Sequence, residues 1–214
     1  MIDQELFKTA VPLLAQACVN TLIIAFFATL MGLCGGTLIA LAEQSHVRLF
    51  RWLAKVYVTI VRGTPMIVQI VFLYYGLNLP FPPLVVAILA IGCNSSAYVS
   101  QTIKSGMNAV AKGEIEAALV MGLKRRDIMR YIILPQAFRA IFPSLGNEFV
   151  TLIKDSSLAY IIGVHELFKE SRNLMNVTYD VFTIYVAVTL FYLVLTSSVT
   201  LLLQEYEKRW ERSC

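Results

Sequence analysis

The sequence predicts an all-α fold: a polytopic membrane bundle of five spanning helices, N-terminus outside, with a helical excursion on the cytoplasmic side between the third and fourth spans. Three observations predict it. The 214 residues are 57% hydrophobic and 15% charged, with a mean hydropathy of +0.68, whereas a soluble domain carries about 25% charged residues. Uncharged runs long enough to cross a hydrocarbon core, at about 1.5 Å of rise per residue, recur along the chain. The basic residues are also asymmetric: with five spans and the N-terminus outside, thirteen lysines and arginines fall in the cytoplasm and three outside, Arg62 and Lys154 being set aside. Positive charge favours the cytoplasmic side, so the count selects this topology. One domain, residues 1–214, suffices.

The first span follows from the absence of charge between Lys8 and Glu43, within which Thr21 to Leu41 is long enough to cross. Gly32, Gly35 and Gly36 give it a face of small residues that lets another helix approach closely, a dimer contact being one reading. The start, MIDQELFK, carries Asp3 and Glu5 where a secretory leader begins with basic residues, so no cleaved leader is expected.

A basic link with Arg48, Arg51 and Lys55 suits the cytoplasm, and a second span is predicted from about Val56 to Leu77. It contains Arg62-Gly63-Thr64-Pro65, where the proline removes a backbone donor and the glycine loosens the turn before it, so a kink is expected. Arg62 needs a partner or a route to water, and snorkelling meets that need.

After the uncharged turn NLPFPP at 78–83, a third span runs from about Leu84 to Gln101 or a turn beyond. Asn94, Tyr98 and Gln101 share one face at i, i+4 and i+7. Three hydrogen-bonding side chains on one stripe face protein or a cavity rather than lipid. Bonds to neighbouring helices and the lining of a path both fit.

Lys112 to Pro143 is the one long charged island. Gly113 to Met121 reads as a short helix with Glu114 and Glu116 in its first turn, where the helix dipole favours negative charge, and Gly122 ends it. Ile115, Ala118 and Leu119 form its apolar stripe. Lys124 to Leu134 restarts a helix, and Pro135 disfavours helical geometry for Leu134, so a turn is expected there. Two amphipathic helices beside a membrane either lie on lipid headgroups or dock a partner.

The fourth span, about Leu145 to Val164, is the least hydrophobic. Glu148, Thr151 and Asp155 line one face at i, i+3 and i+7, with Lys154 beside it. Such groups at membrane depth either line a path or seal a subunit interface. The loop from His165 to Asp180 is external and charged, a surface for a water-soluble partner. The fifth span, Val181 to Gln204, has no charge, and its stripe of Tyr185, Thr189, Tyr192 and Thr196 is expected to turn toward the bundle. The tail adds Lys208, Arg209 and Arg212, with Trp210 suited to the interface.

The island resembles the cytoplasmic loop of the membrane subunits of bacterial ABC importers, whose signature is Glu-Ala-Ala, three residues, Gly, nine residues, Ile-x-Leu-Pro. Glu116, Ala117, Ala118, Gly122, Ile132, Leu134 and Pro135 match every position. The R-G-T-P run followed by Gln69, the Asn-Ser-Ser-Ala-Tyr of the third span and Lys154-Asp155-Ser156-Ser157-Leu158 resemble the polar amino acid branch and occur in its order. Ser95 and Ser156 stand where that branch often has threonine, which keeps the hydroxyl. The resemblance implies a multi-pass permease of the bacterial inner membrane. Its coupling helix, within a loop of about 104–143, would dock an ATPase through Glu116, Ala117, Ala118, Gly122, Leu134 and Pro135. It also implies a second permease, identical or a sister, two ATPase subunits, and a periplasmic or lipid-anchored amino acid-binding protein. Asn94, Tyr98, Gln101, Thr151 and Asp155, with Lys154 alongside, are the candidates for the substrate path, chosen from helical faces.

Several classes are excluded. No G-x-x-x-x-G-K-[ST] phosphate loop occurs, so no nucleotide is held by that route and no cofactor is expected, ATP being bound by a partner. No nucleophile and base carry a local catalytic signature, so the chain is not expected to be an enzyme. Cys18, Cys34, Cys93 and Cys214 form no C-x-x-C pair, and His46 and His165 fall on opposite sides, so neither a disulfide framework nor a metal site is expected. The net charge of +4 gives no case for nucleic acid. Two other classes stay open: an ATP-independent channel or ion-coupled carrier using Asp155 and Lys154, and a non-transporting membrane scaffold.

Overall fold

The computed structural model describes residues 4–212; Asp3, Cys214 and the side chains of Trp210 and Arg212 lie outside the described residues. Helix α1 (Gln4–Glu43) extends well before the expected span, through Pro12. α2 (Arg48–Gly63) and α3 (Met66–Val71, continued by a π-turn at Phe72–Gly76) flank the R-G-T-P break. α4 (Pro83–Ala109) begins with proline in its first turn, where a missing N–H costs nothing, and runs about two turns past Gln101. α5 (Lys112–Val120) and α6 (Arg125–Ile128) form the island. α7 (Leu134–Asp155) passes into a 3-10 turn at Ser156–Ile162 that Gly163 ends at φ +86°. α8 (Leu167–Thr178) and α9 (Val181–Arg212) complete the chain.

Among the described residues, α1, α4 and α9 are long and apolar enough to cross a membrane. The pair α2 and α3 makes a fourth if its limbs count as one span, but they meet at 107°, far sharper than the kink expected within a continuous second span. α7 is not among them; it carries Arg139, Glu148, Lys154 and Asp155.

The core is a seam of small and branched side chains. Ile24, Ala25 and Ala28 of α1 meet Val86, Ala87, Ala90 and Ile91 of α4, with Ile70, Leu152 and Ile153 closing in from α3 and α7. The glycine face of α1 serves this packing within the chain, not a dimer: a Cβ at Gly32 would sit 2.5 Å from Ser95 Oγ, and one at Gly36 2.7 Å from Val99 Cβ. Gly36→Leu is therefore expected to destabilise by about 1–3 kcal/mol through overpacking. Gly113→Ala, with nothing within 4 Å of its Cβ, is the neutral comparison. The melting temperature of the detergent-solubilised protein measures both, and equal values would contradict this packing.

Two expectations about turns fail. Leu134 stays helical at φ −60° and ψ −45°, so the chain does not turn before Pro135. A π-turn at Met129–Ile133 widens the backbone just ahead of the proline, which then occupies the first turn of α7 where no N–H is needed. The segment His165 to Asp180 is not a loop but mostly helix α8, capped by the Glu166 carboxylate, which accepts from Phe168 N at 2.8 Å and Lys169 N at 2.7 Å. On α9 the polar stripe only partly turns inward: Tyr185 and Thr189 are exposed, while the Tyr192 hydroxyl donates to Glu166 Oε2 at 3.2 Å.

Glu166 is fully buried where α8 meets α1 and α9; Leu167 N donates to Thr21 Oγ1 at 3.2 Å, and Leu14, Leu167, Ile184 and Val188 pack nearby. Burial pushes its carboxyl up to about 7, against the pull of the two amides and Tyr192. The folded chain thus holds this proton more tightly than the unfolded one. The stabilising contribution is full below the ordinary carboxylate range and shrinks as pH rises toward about 7. Glu166→Gln is expected to flatten the fall in melting temperature between mildly acidic and mildly alkaline buffer. An unchanged slope would contradict it.

Candidate functional site

The break in the second hydrophobic segment, the polar face of α4 and the acidic face of α7 converge on one cavity of about 340 Å³, lined by Thr64, Pro65, Met66, Asn94, Tyr98, Glu148, Thr151, Leu152 and Asp155. Each element arrives for a local reason. Pro65 cannot continue α2, so the chain swings away and leaves Thr64 to Met66 as a rim. On α4, i and i+4 spacing puts Asn94 and Tyr98 on one face, and on α7 the i, i+3, i+7 spacing does the same for Glu148, Thr151 and Asp155.

The polar groups are held in place. Ser95 Oγ donates to Glu148 Oε1 at 2.7 Å, and Asn94 Nδ2 donates to Gln69 Oε1 at 3.0 Å. The Arg62 guanidinium lies over the Tyr98 ring, 5.0 Å from its centre, so this arginine stacks rather than forming an ion pair there. Thr151 Oγ1 returns to Asn147 O at 3.0 Å. Among the described residues no lysine, arginine or histidine lines the cavity. It presents carboxyl, hydroxyl and amide groups, an environment suited to ammonium and other N–H donors.

Four of the six path candidates, Asn94, Tyr98, Thr151 and Asp155, lie around this cavity, and two do not. Gln101 is placed apart from it: two turns along α4 from Asn94, it is captured by the α1 end, donating to Glu43 Oε1 at 2.9 Å beside the Lys104–Glu43 ion pair of 2.6 Å. Shared angular position on a helix did not bring it to the same depth. Lys154 is the other: one residue from Asp155 and so about 100° around the helix, it faces a separate groove with Thr196, Ser197, Thr200 and Gln204. Glu148, outside the candidate set, joins the site, and its spacing of three from Thr151 was the signal. Thr64 and Pro65 join through the break, which the R-G-T-P run announced only as a kink.

The island forms a second surface. α5 ends in a turn at Gly122 with φ +84°, Leu123 N bonding Ala118 O at 3.1 Å and Gly122 N bonding Leu119 O at 3.0 Å. These paired bonds satisfy carbonyls that the helix end leaves open, and they favour glycine. Of the stripe read from sequence Ala118 is buried, Ile115 half-buried and Leu119 exposed, and with Val120 at 89% and Met121 at 79% exposure the outward apolar surface is concentrated at the end of the helix. Glu116, Ala117, Leu134 and Pro135 are exposed.

The family described as binding-protein-dependent transport system inner membrane component matches residues 32–212. The chain is 34% identical over 216 residues to the glutamine transport system permease protein GlnP of Escherichia coli K12, covering 97% of each. It is 32% identical over 203 residues to the arginine transport system permease protein ArtQ of Bacillus subtilis, covering 93% of each. Among solved structures, a chain from an amino acid ABC transporter with histidines superposes with a TM-score of 0.92 at 32% identity, covering 98% of this chain and 99% of that one. The MetNI methionine ABC transporter shares the fold, with a TM-score of 0.67 at 20% identity.

Proposed function

The chain belongs to the family of binding-protein-dependent transport system inner membrane components, as a multi-pass permease subunit of the amino acid ABC type, and from that membership we propose how it works. It carries an amino acid through the cavity between α2–α3, α4 and α7 while a separate ATPase, docked on α5 and its neighbours, drives the movement. The observation that carries the reading is the cavity: Glu148 and Asp155 face Asn94, Tyr98 and Thr151, no basic side chain among the described residues lines it, and Arg62 is engaged on the Tyr98 ring. An α-ammonium group meets two carboxyls there, and an acidic side chain meets the same two with repulsion. Neutral and cationic amino acids therefore fit better than acidic ones. Relatives named for glutamine and arginine transport are in keeping with this.

In this reading five spans cross the inner membrane with the N-terminus outside, α7 with its 3-10 extension being the fourth. A second permease, identical or a sister, pairs with this one; two ATPase subunits sit below, and an amino acid-binding protein delivers solute from outside. The exposed apolar positions along α9, such as Val194 and Leu201, face lipid. ATP binding favours one of two arrangements of the helices, and the solute follows that preference. Hydrolysis belongs to the partner, and this subunit has no catalytic role.

Reconstitution into liposomes with ATPase and binding protein tests it, with radiolabelled L-glutamine, L-arginine and L-histidine as probes. Uptake is expected only with ATP on the ATPase side. Uptake without ATP supports a channel or ion-coupled carrier, and no uptake of any amino acid supports a scaffold; either overturns the proposal.

A further inference from the structure

The break between α2 and α3 leaves backbone groups that the helices cannot satisfy. Val61 O would accept from the N–H four residues on, but that residue is Pro65, which has none. Inside a bilayer such an orphan carbonyl is costly, because no water replaces the bond. One side chain repairs it: Gln69 Nε2 donates to Val61 O at 2.8 Å and also lies 2.8 Å from Thr64 Oγ1 and 3.2 Å from Thr64 O. Thr64 Oγ1 itself donates to Ile60 O at 2.9 Å.

Three oxygens around one end of the amide fix which way it points. Gln69 Oε1 must face the opposite direction, and there it accepts from Asn94 Nδ2 at 3.0 Å. Asn94 is in turn fixed, since only its nitrogen can meet that oxygen. Its Oδ1 has no partner among the described residues, and the side chain lines the cavity.

We propose that Gln69 is a positioning residue for solute recognition: it clasps the α2–α3 break and, through that fixed amide, turns Asn94 so that an acceptor oxygen meets the solute. The chain break and the binding cavity form one unit, with Thr64 and Pro65 on the rim and Gln69 behind Asn94. The claim rests on the cavity being the solute site.

Direct solute binding tests it, measured on the purified permease–ATPase complex without binding protein, since delivery by that protein would mask the cavity's own affinity. Radiolabelled L-glutamine, L-arginine and L-histidine are the probes. Gln69→Met is expected to weaken Kd about tenfold, the effect of a lost hydrogen bond. Asn94→Ala is expected to weaken it comparably, and the double variant to bind no worse than Asn94→Ala alone, because Gln69 then has nothing to orient. Effects that multiply in the double variant overturn the proposal and leave Gln69 as a helix brace only, a role that thermal stability would register and this non-additivity would not. If Gln69→Met fails to assemble, Gln69→Lys enters the same cycle: it keeps a donor for Val61 O and Thr64 O but offers Asn94 Nδ2 no acceptor. If Asn94→Ala and Thr151→Val both bind as the parent does, the cavity is not the site, and the functional reading falls with the inference. Intact binding-site effects of those two variants with no effect at Gln69 remove the inference alone.

Discussion

Replacing Gly122 by proline is expected to abolish co-purification of the ATPase while leaving membrane insertion intact. The α5 end depends on this residue in two ways. Its φ of +84° is strained for any side chain and closed to proline, whose ring holds φ near about −65°. Its N–H also bonds Leu119 O at 3.0 Å, and proline has no such donor. The turn would unwind and carry Val120 and Met121, exposed by 89% and 79%, away from their present setting. Space is not the obstacle, since a Cβ at Gly122 meets nothing within 4 Å. Gly122→Ala is therefore expected to keep partial association, and Gly122→Pro none. Glu116→Lys reverses an exposed charge nearly two turns back along α5 and is expected to act in the same direction. Undiminished co-purification in Gly122→Pro and Glu116→Lys would contradict docking on this surface.

The second large effect lies in the cavity. Asp155→Lys and Glu148→Lys are each expected to reduce ATP-driven amino acid uptake by about thirtyfold or more, since removing one partner of a desolvated charge pair costs about 2–5 kcal/mol. ATPase association should not change, because both residues lie toward the far end of α7 from the island. Lys154→Gln provides the contrast. Its side chain faces the groove with Thr196, Ser197 and Thr200, and its effect on uptake is expected to be several-fold smaller. Equal losses at 154 and 155 would contradict the separation of the two faces.

Much of this arrangement was legible in the sequence where a local rule acts alone. The Gly122 stop needs only a positive φ, and the stripes Asn94–Tyr98 and Glu148–Thr151–Asp155 need only helical geometry. Rules stopped working where a neighbouring element decided the outcome. Gln101 sits on the right face of α4 but at the level of Glu43, and no periodicity within α4 reports what α1 brings there. Leu134 stays helical because a π-turn upstream makes room for Pro135, a compensation that the residue-before-proline rule does not include. The glycines of α1 announced a close helix contact without saying with which helix, and Ser95, Ser96 and Val99 of α4 supply the answer. The 107° bend exceeds what Gly63 and Pro65 imply by themselves. It is sustained by Gln69, four residues downstream of the proline, which satisfies the carbonyl at Val61.

Chemical cross-linking from position 120 examines most directly the claim that a separate motor acts on this permease from the cytoplasmic side. Val120→Cys would be made in a background lacking Cys34 and Cys93, both exposed, and Cys214. With a membrane-impermeant reagent, the account expects reaction in inside-out vesicles and not in intact cells, and an adduct containing a nucleotide-hydrolysing subunit. Labelling of position 120 from the outside, or adducts that contain no such subunit, would contradict it.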